Sequence, residues 1–480
     1  MGGDKRSAAH SAALVEARRR LVAGDRDTAR HICDAVLSDH PGQPDAEHCL
    51  GVIAYLEHRH EDAVTLMARA RRQRRADSEL HSNLGLAYQA LGQFAPAIDA
   101  FRRALAIAPG HAAHHAYLGA ALRDAGRLDE ARLAYDRALS IDASYALARY
   151  GKGLCSLLSG DWQSPWEDYE WRFAADFGAP YARDPRRPGA VLPRPSEWTG
   201  QDCSSSRVLI LADQGIGDEV FFLRFAAGAR ARCAWLGYQA SPKLLPLLGA
   251  GVPGIDAVFN AAEPVTQEPD RSILVGDLPL LSRMRVQAAQ ASICLTPCPN
   301  LIESMLERLT AAGPAPWLAL TWRAGPQPTA GEKPGRRKEV PLTALAAPLK
   351  NWPGTVISVQ RNPLRGEFVT LNDVLGQQVP DFGEFNDDLP AMLALLSVVD
   401  EYVGVSNTNM HLRAAARRRA TVLVTVPPDW RWTETGTTSP WFPDFELYRE
   451  ERLAGWGAAM TRLATDLAHD CRPRLERGFE

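Results

Sequence analysis

The sequence predicts a helical-repeat solenoid followed by two doubly wound α/β domains. Three observations carry this. Small and bulky residues recur every 34 positions through residues 10–145. From residue 206 onward, short apolar runs alternate with helical spacings. One stretch, Arg207 to Phe225 (RVLILADQGIGDEVFFLRF), joins a buried-strand pattern to a glycine turn and a helix.

The repeat comes first in the chain. Gly51, Gly85 and Gly119 stand 34 apart, as do Ala29, Ala63, Ala97 and Ala131. Met67, Phe101 and Tyr135 follow, then Ala70, Ala104 and Ala138, and Pro41 and Pro109 close two units. Small residues let two helices approach, and the bulky one fills the gap to its neighbour. Each unit buries its apolar face only by stacking, which makes a solenoid with a concave surface. The first unit has Ala17 and Cys33 at these places, as a cap would. A further half-unit opens at Ala146 with Gly153 in register. The clearest unit, HSNLGLAYQALGQFAPAIDAFRRALAIAPG, resembles the tetratricopeptide repeat. Such a surface usually binds an acceptor protein or other extended polypeptide. A scaffold or dimerisation arm, giving a homodimer, is the alternative.

After the repeats, Trp162, Trp166, Tyr169 and Trp171 have two readings: stacking on a sugar or base, or sealing the solenoid's end. Residues 176–205 are rich in Pro, Gly and Arg and read as a linker anchored by Trp198. The strand–helix alternation that follows argues a parallel sheet covered on both faces. In the first domain, 206–312, strands are expected at 208–211, near Trp235, and at 257–259 and 273–276. Helices are expected at 219–233 and 243–248. In the second, 313–470, strands fall at 317–322, 355–360, 401–405 and 421–426. Helices fall at 342–349, 389–399, from about 411 to 419, and at 453–467. Residues 1–175 form the solenoid and 471–480 a tail.

Composition narrows the class. The 480 residues carry a formal net charge of −3, with 46% hydrophobic and 23% charged. That balance argues against a general nucleic-acid binder. Eight cysteines are scattered without zinc-finger spacing and read as free thiols in a reducing compartment. The opening MGGDKRSAAHSAALVEARRR lacks a signal-peptide core, and no run of about 18 apolar residues is present. Cytoplasm is the expected location.

Polar clusters lie at the predicted strand ends. Asp213–Asp218 includes Gly215 and Gly217, which let a backbone approach a ligand, beside a helix N-terminus that favours anions. The others are Trp322-Arg323-Ala324-Gly325, Arg336-Arg337-Lys338, Gln360-Arg361-Asn362, Ser406-Asn407-Thr408-Asn409-Met410-His411 and Asp429-Trp430-Arg431-Trp432. Cations around a free helix N-terminus suit a diphosphate. Asp218 suits a general base for an acceptor hydroxyl. Each has a structural alternative. Asp218, Ser406 and Asn407 are good helix caps, and His411 suits a hydrogen-bonded core position. Arg336–Lys338 suits a solvated loop, and Asp429–Trp432 suits packing.

The α/β part also resembles the glycosyltransferase-like domain that follows tetratricopeptide repeats in bacteria, itself similar to the ADP-heptose:lipopolysaccharide heptosyltransferases of the two-domain GT-B fold (glycosyltransferase family 9-like). The carrying segments are GDWQSPWEDYEWRF, PSEWTGQ, RVLILADQGIGDEVFFLRF, LALTWRAG, RRKEVPL, VISVQRN, YVGVSNTNMHLRAAA and DWRWTETGTTSPWFPDFELYRE. The resemblance implies a metal-independent, inverting glycosyltransferase with no cofactor, a nucleotide sugar as donor and Asp218 as general base. It implies that Lys338, in Lys338-Glu-Val-Pro341, contacts the donor phosphates. The family's Asp-Thr-x-x-x-His signature looks like Ser406 to His411, with His411 kept and the first two positions changed to Ser406 and Asn407, so ADP-heptose is not implied. Gly215, Gly217, Arg323, Gln360, Arg361, Thr408 and Asn409 complete the expected donor site. Similar repeat-plus-transferase chains glycosylate proteins, flagellin among them. The alternative is a non-catalytic repeat adaptor with a degenerate transferase-like module.

Overall fold

A computed structural model of the chain describes residues 2–172, 196–198, 201–249, 251–263, 265, 268–282, 292–325 and 338–470. Most of the expected linker, Arg336, Arg337 and the 471–480 tail with Cys471 lie outside these residues. The chain divides into two compact units. One comprises Met1–Cys155, and the other Ser156–Phe173 with the later α/β part.

The first unit is an array of paired helices: α1 (Gly2–Val22), α2 (Arg26–Asp39), α3 (Pro44–Leu56), α4 (His60–Gln73), α5 (Ser78–Ala90), α6 (Phe94–Ile107), α7 (Ala112–Asp124), α8 (Leu128–Ile141) and the start of α9 (Ala146–Leu158). The 34-residue pattern has a steric cause. A Cβ on Gly51 would lie 2.7 Å from Met67, one on Gly85 2.7 Å from the Phe101 ring, and one on Gly119 2.7 Å from Tyr135. Met67, Phe101 and Tyr135 are fully buried in these slots. A second row at the same period sets the turn inside each pair. Gly24, His58, Gly92, Gly126 and Gly160 all have left-handed φ, between 61° and 88°. His58 is the one that bears a side chain there, at a cost of about 1–2 kcal/mol.

The second unit holds two mainly parallel sheets. Strands β1 (Ser196–Glu197), β2 (Arg207–Leu211), β3 (Trp235–Ala240), β4 (Ala257–Asn260) and β5 (Arg271–Leu274) form the first, in the order β1-β5-β2-β3-β4. Strands β6 (Trp317–Thr321), β7 (Thr355–Ser358), β8 (Glu401–Val405), β9 (Ala420–Val424), β10 (Thr438–Ser439) and β11 (Phe442–Arg449) form the second, in the order β10-β11-β9-β8-β6-β7. Among these strands, β10 and β11 alone pair antiparallel. Every residue of β6, β8 and β9 is buried, as a parallel sheet covered on both faces requires.

Several elements differ from the sequence expectation. Residues 196–197, placed in the linker, pair with β5 as an edge strand, and Trp198 beside them is buried. The helix expected at 219–233 starts at Ile216 and is interrupted by a tighter turn at Leu223–Phe225 before resuming at Ala226–Arg230. The reason is local: Arg224 Nε donates to the Phe221 carbonyl, 2.9 Å away, which a continuous helix would give to Phe225. Trp166 packs edge-on against Tyr169, Phe222, Phe225, Trp430 and Trp441, all within the second unit.

Two substitutions in the array have opposite expected signs. Gly85→Val drives a branched side chain into Phe101 and lowers array stability by about 1–3 kcal/mol. His58→Gly relieves the left-handed strain and raises it by roughly 0.5–1 kcal/mol. Chemical denaturation followed by far-ultraviolet circular dichroism reads both, and equal midpoints would refute the steric account.

Candidate functional site

In an open parallel sheet, ligands bind where the strand order reverses, beyond the C-terminal strand ends. In the first sheet that point lies between β2 and β5. The Arg172 guanidinium fills it. It pairs with Asp213 after β2, at 2.9 Å, and with Asp277 after β5, while the Gly276 N–H donates to Asp213. Burial, reinforced by Asp213 and Glu170 and opposed by Arg172, pushes Asp277 up to about 6. This crevice is closed by the protein's own ion pairs.

The turn after β2 then brings the first sheet's helix to the second. Gly215 and Gly217 were expected to supply unusual backbone freedom. The left-handed residue is instead Gln214, at φ 61°, while Gly215 is extended at φ −107° and caps the helix Ile216–Phe222. Gly217 serves a different close approach. A Cβ there would lie 2.9 Å from His411 Cδ2 and 3.4 Å from Thr408 Cα. It is small so that this helix can meet the helix Thr408–Ala415, not so that a ligand can reach its backbone.

Beside that contact runs a chain of four charges. Asp218 accepts from the Gly215 N–H at 3.2 Å, as a helix cap, and its other oxygen accepts from Arg431 Nη2. Arg431 Nη1 donates to Asp429 at 3.2 Å, and Lys338 Nζ donates to the second Asp429 oxygen at 3.0 Å. The ends of the chain are open and its middle is closed: side-chain exposure is 27% at Asp218 and 38% at Lys338, but 6% at Arg431 and 15% at Asp429. Burial favours a protonated Asp429. The Lys338 and Arg431 charges and the Arg431 N–H outweigh it and hold that carboxyl well below the usual range. The Arg431 guanidinium lies 4.6 Å from the Phe221 ring centre and 4.5 Å from that of Trp430.

The remaining expected donor residues separate. Arg323 is buried and paired with Glu367, with a further bond to the Asn362 carbonyl, so it ties its own loop instead of facing a ligand. Gln360 is likewise committed. Its oxygen accepts from the Trp322 and Arg323 N–H groups, and its nitrogen donates to the Arg323 and Arg361 carbonyls. Arg361 is exposed and shares Asp387 with Lys243 of the first sheet's half. Ser406 is buried. Asn407 caps the Thr408 helix and bridges to Thr321, tying the ends of β8 and β6. Asn409 donates to Asn386 at 3.3 Å. His411 is packed edge-on against Phe221 and Phe442, and its Nδ1 has no hydrogen-bond partner among the described residues. Burial first, then the Arg431 and Arg224 charges, push it well below the usual imidazole range, so the ring is neutral.

Asp218 and Lys338 therefore join one charge chain, and His411 adjoins it. Arg431 and Asp429, which the sequence marked only as the last of its polar clusters, link them. Arg431 lies 213 residues from Asp218, so nothing local signals the pairing.

Residues 78–111 match the tetratricopeptide repeat family, and residues 14–78 match it as well. Residues 14–111 carry tetratricopeptide repeats. The chain is 26% identical over 416 residues to Protein FlbA of Caulobacter vibrioides, covering 81% of this chain and 66% of that protein. It thus spans just under two thirds of that relative's length. An 84-residue stretch is 36% identical to the peroxisomal targeting signal receptor of Kluyveromyces lactis, covering 18% of this chain and 15% of the receptor. Among solved structures, MamA aligns at 23% identity over 33% of this chain and 93% of its own, with a TM-score of 0.30. No helix among the described residues is long and apolar enough to cross a membrane.

Two measurements check the packing of this site. Gly217→Ala forces the two helices apart and costs about 1–3 kcal/mol in urea unfolding of the α/β unit; an unchanged midpoint would contradict the contact. His411 is neutral when folded and takes a proton near pH 6.5 when unfolded, so its contribution to stability falls as pH drops below about 6.5. His411→Gln removes that part of the slope, up to about 1.4 kcal/mol per pH unit between pH 6 and 5. Parallel stability curves for the two proteins would refute the burial of a neutral ring.

Proposed function

We propose that the chain is a GT-B glycosyltransferase that moves a sugar from a nucleotide sugar to a protein acceptor held by its repeats. The observation that carries this reading is the charge chain from Asp218 to Lys338. It sets an open carboxylate of the first half against cations and a helix N-terminus of the second. Two parallel sheets with strand-order reversals are compatible with the two halves of such a fold.

In this reading the acceptor hydroxyl oxygen attacks the anomeric carbon while Asp218 takes its proton. The bond from the anomeric carbon to the phosphate oxygen breaks, and the nucleoside diphosphate leaves with the electron pair. Lys338 and the N-terminal end of the Thr408–Ala415 helix meet the charge that develops on it. One displacement of this kind inverts the anomeric centre. No step calls for a metal or cofactor. The repeats supply the acceptor, as their small-residue slots stack into a surface suited to an extended polypeptide. The targeting-signal receptors that share the 84-residue stretch are, by their name, receptors of a signal, which favours the same use of repeats here.

A second reading, a repeat adaptor that binds without catalysis, is favoured by one finding. Arg323, Gln360 and Asn407 direct the contacts found for them to their own chain. A thermal-shift panel of nucleoside diphosphates separates the two. The transferase reading expects stabilisation by one of them. It also expects Asp218→Asn to retain that stabilisation while turnover falls by at least about 100-fold. Undiminished turnover in the variant would remove Asp218 as base, and no stabilisation by any nucleotide would favour the adaptor.

A further inference from the structure

Arg431 occupies a place that the proposed reaction does not use. It is the most enclosed cation of the chain of four, and it faces two carboxylates at once: Asp218 from the first half, and Asp429 from its own loop. Asp429 stays bound to it through a second contact, the Arg431 N–H at 3.1 Å, and is also neutralised by Lys338. Among the described residues Asp218 has no such anchor. Beyond its cap bond from Gly215, the cation found on it is Arg431. Within the chain of four, two acids face two bases, and Arg224 adds a further cation on the Phe221 ring. An arriving diphosphate adds negative charge beside Asp218, and the guanidinium fork can serve a carboxylate or a phosphate equally well.

We propose that Arg431 is the donor-sensing residue of the site: it holds Asp218 in the empty protein and turns to the diphosphate when a nucleotide sugar binds, freeing the carboxylate to act as base only then. This rests on the transferase reading. Asp218 and the diphosphate compete for one cation, so each weakens the other's hold on it. Trp430 and Phe221 pack against the guanidinium that both partners contact.

The competition gives a sign that structural damage would not give. Calorimetric titration of the full chain with ADP, UDP, GDP, CDP and dTDP compares wild type, Asp218→Asn, Arg431→Gln, Arg431→Lys and the double variant Asp218→Asn with Arg431→Gln. Asp218→Asn keeps the cap but gives up the charge, and is expected to tighten the preferred nucleotide by on the order of tenfold. Arg431→Gln weakens it by a similar factor, Arg431→Lys restores part of the loss, and the gain from Asp218→Asn vanishes in the double variant. Nucleotide binding that Asp218→Asn leaves unchanged or weakens, in a variant with an unaltered melting temperature, overturns the proposal and leaves the transferase reading standing. Binding of no nucleotide by any variant overturns both.

Discussion

The ion pair between Asp218 and Arg431 is the constraint on which the α/β unit's site depends. It is possible only because three other things hold. Gly217 lets the Ile216 helix touch the Thr408 helix, since any side chain would strike His411. Arg431 is held at its base by Asp429. The aromatic rings of Phe221, Phe222 and Trp430 pack around the guanidinium and lower the polarity there, which strengthens each charge contact within reach. Lose the glycine and the two helices part; lose Asp429 and a buried cation is left half-compensated, which is costly.

Charge is used differently in the two halves. At the first sheet's reversal, Arg172 closes the crevice by pairing with Asp213 and Asp277. That leaves the edge facing the second sheet as the place where Asp218 stays partly open. In the second half, Gln360 and Asn407 fix the end of β6 by side-chain bonds to the Trp322 and Arg323 backbone and to Thr321, so the strand end beyond which Lys338 lies is held rigid. Rigid strand ends with solvent-open charges beyond them are what precise placement of a reacting group requires.

Much of this was legible in the sequence. The 34-residue spacing of Gly51, Gly85 and Gly119 reports a local steric need, met within the same unit by Met67, Phe101 and Tyr135, so periodicity alone finds it. The row of left-handed turns from Gly24 to Gly160 carries the same period and was equally readable, with His58 as its one disguise. Apolar runs marked β2, β6, β8 and β9 because both their faces are buried. The strand Phe442–Arg449 escaped, since Pro443 and Asp444 break its alternation and its partner β9 is parallel and remote. The helix Pro299–Ala312 carried usable signals, Pro299 at its start and Gly313 after its end. In the site, residue types pointed to Asp218, Lys338 and His411. The true neighbour of Gly217 and the internal fate of Arg323 and Gln360 were hidden, because each depends on a long-range contact that no local pattern encodes.

The central claim is that Asp218 and the cations of the second half look onto one diphosphate site. A crystal structure of the full chain soaked with the nucleoside diphosphate that stabilises it most tests this directly. The account predicts phosphate oxygens at hydrogen-bond distance, about 3 Å, from Lys338 and Arg431, with the Asp218 carboxylate released and facing open solvent. A nucleotide bound elsewhere, with Asp218 still paired to Arg431, would contradict it.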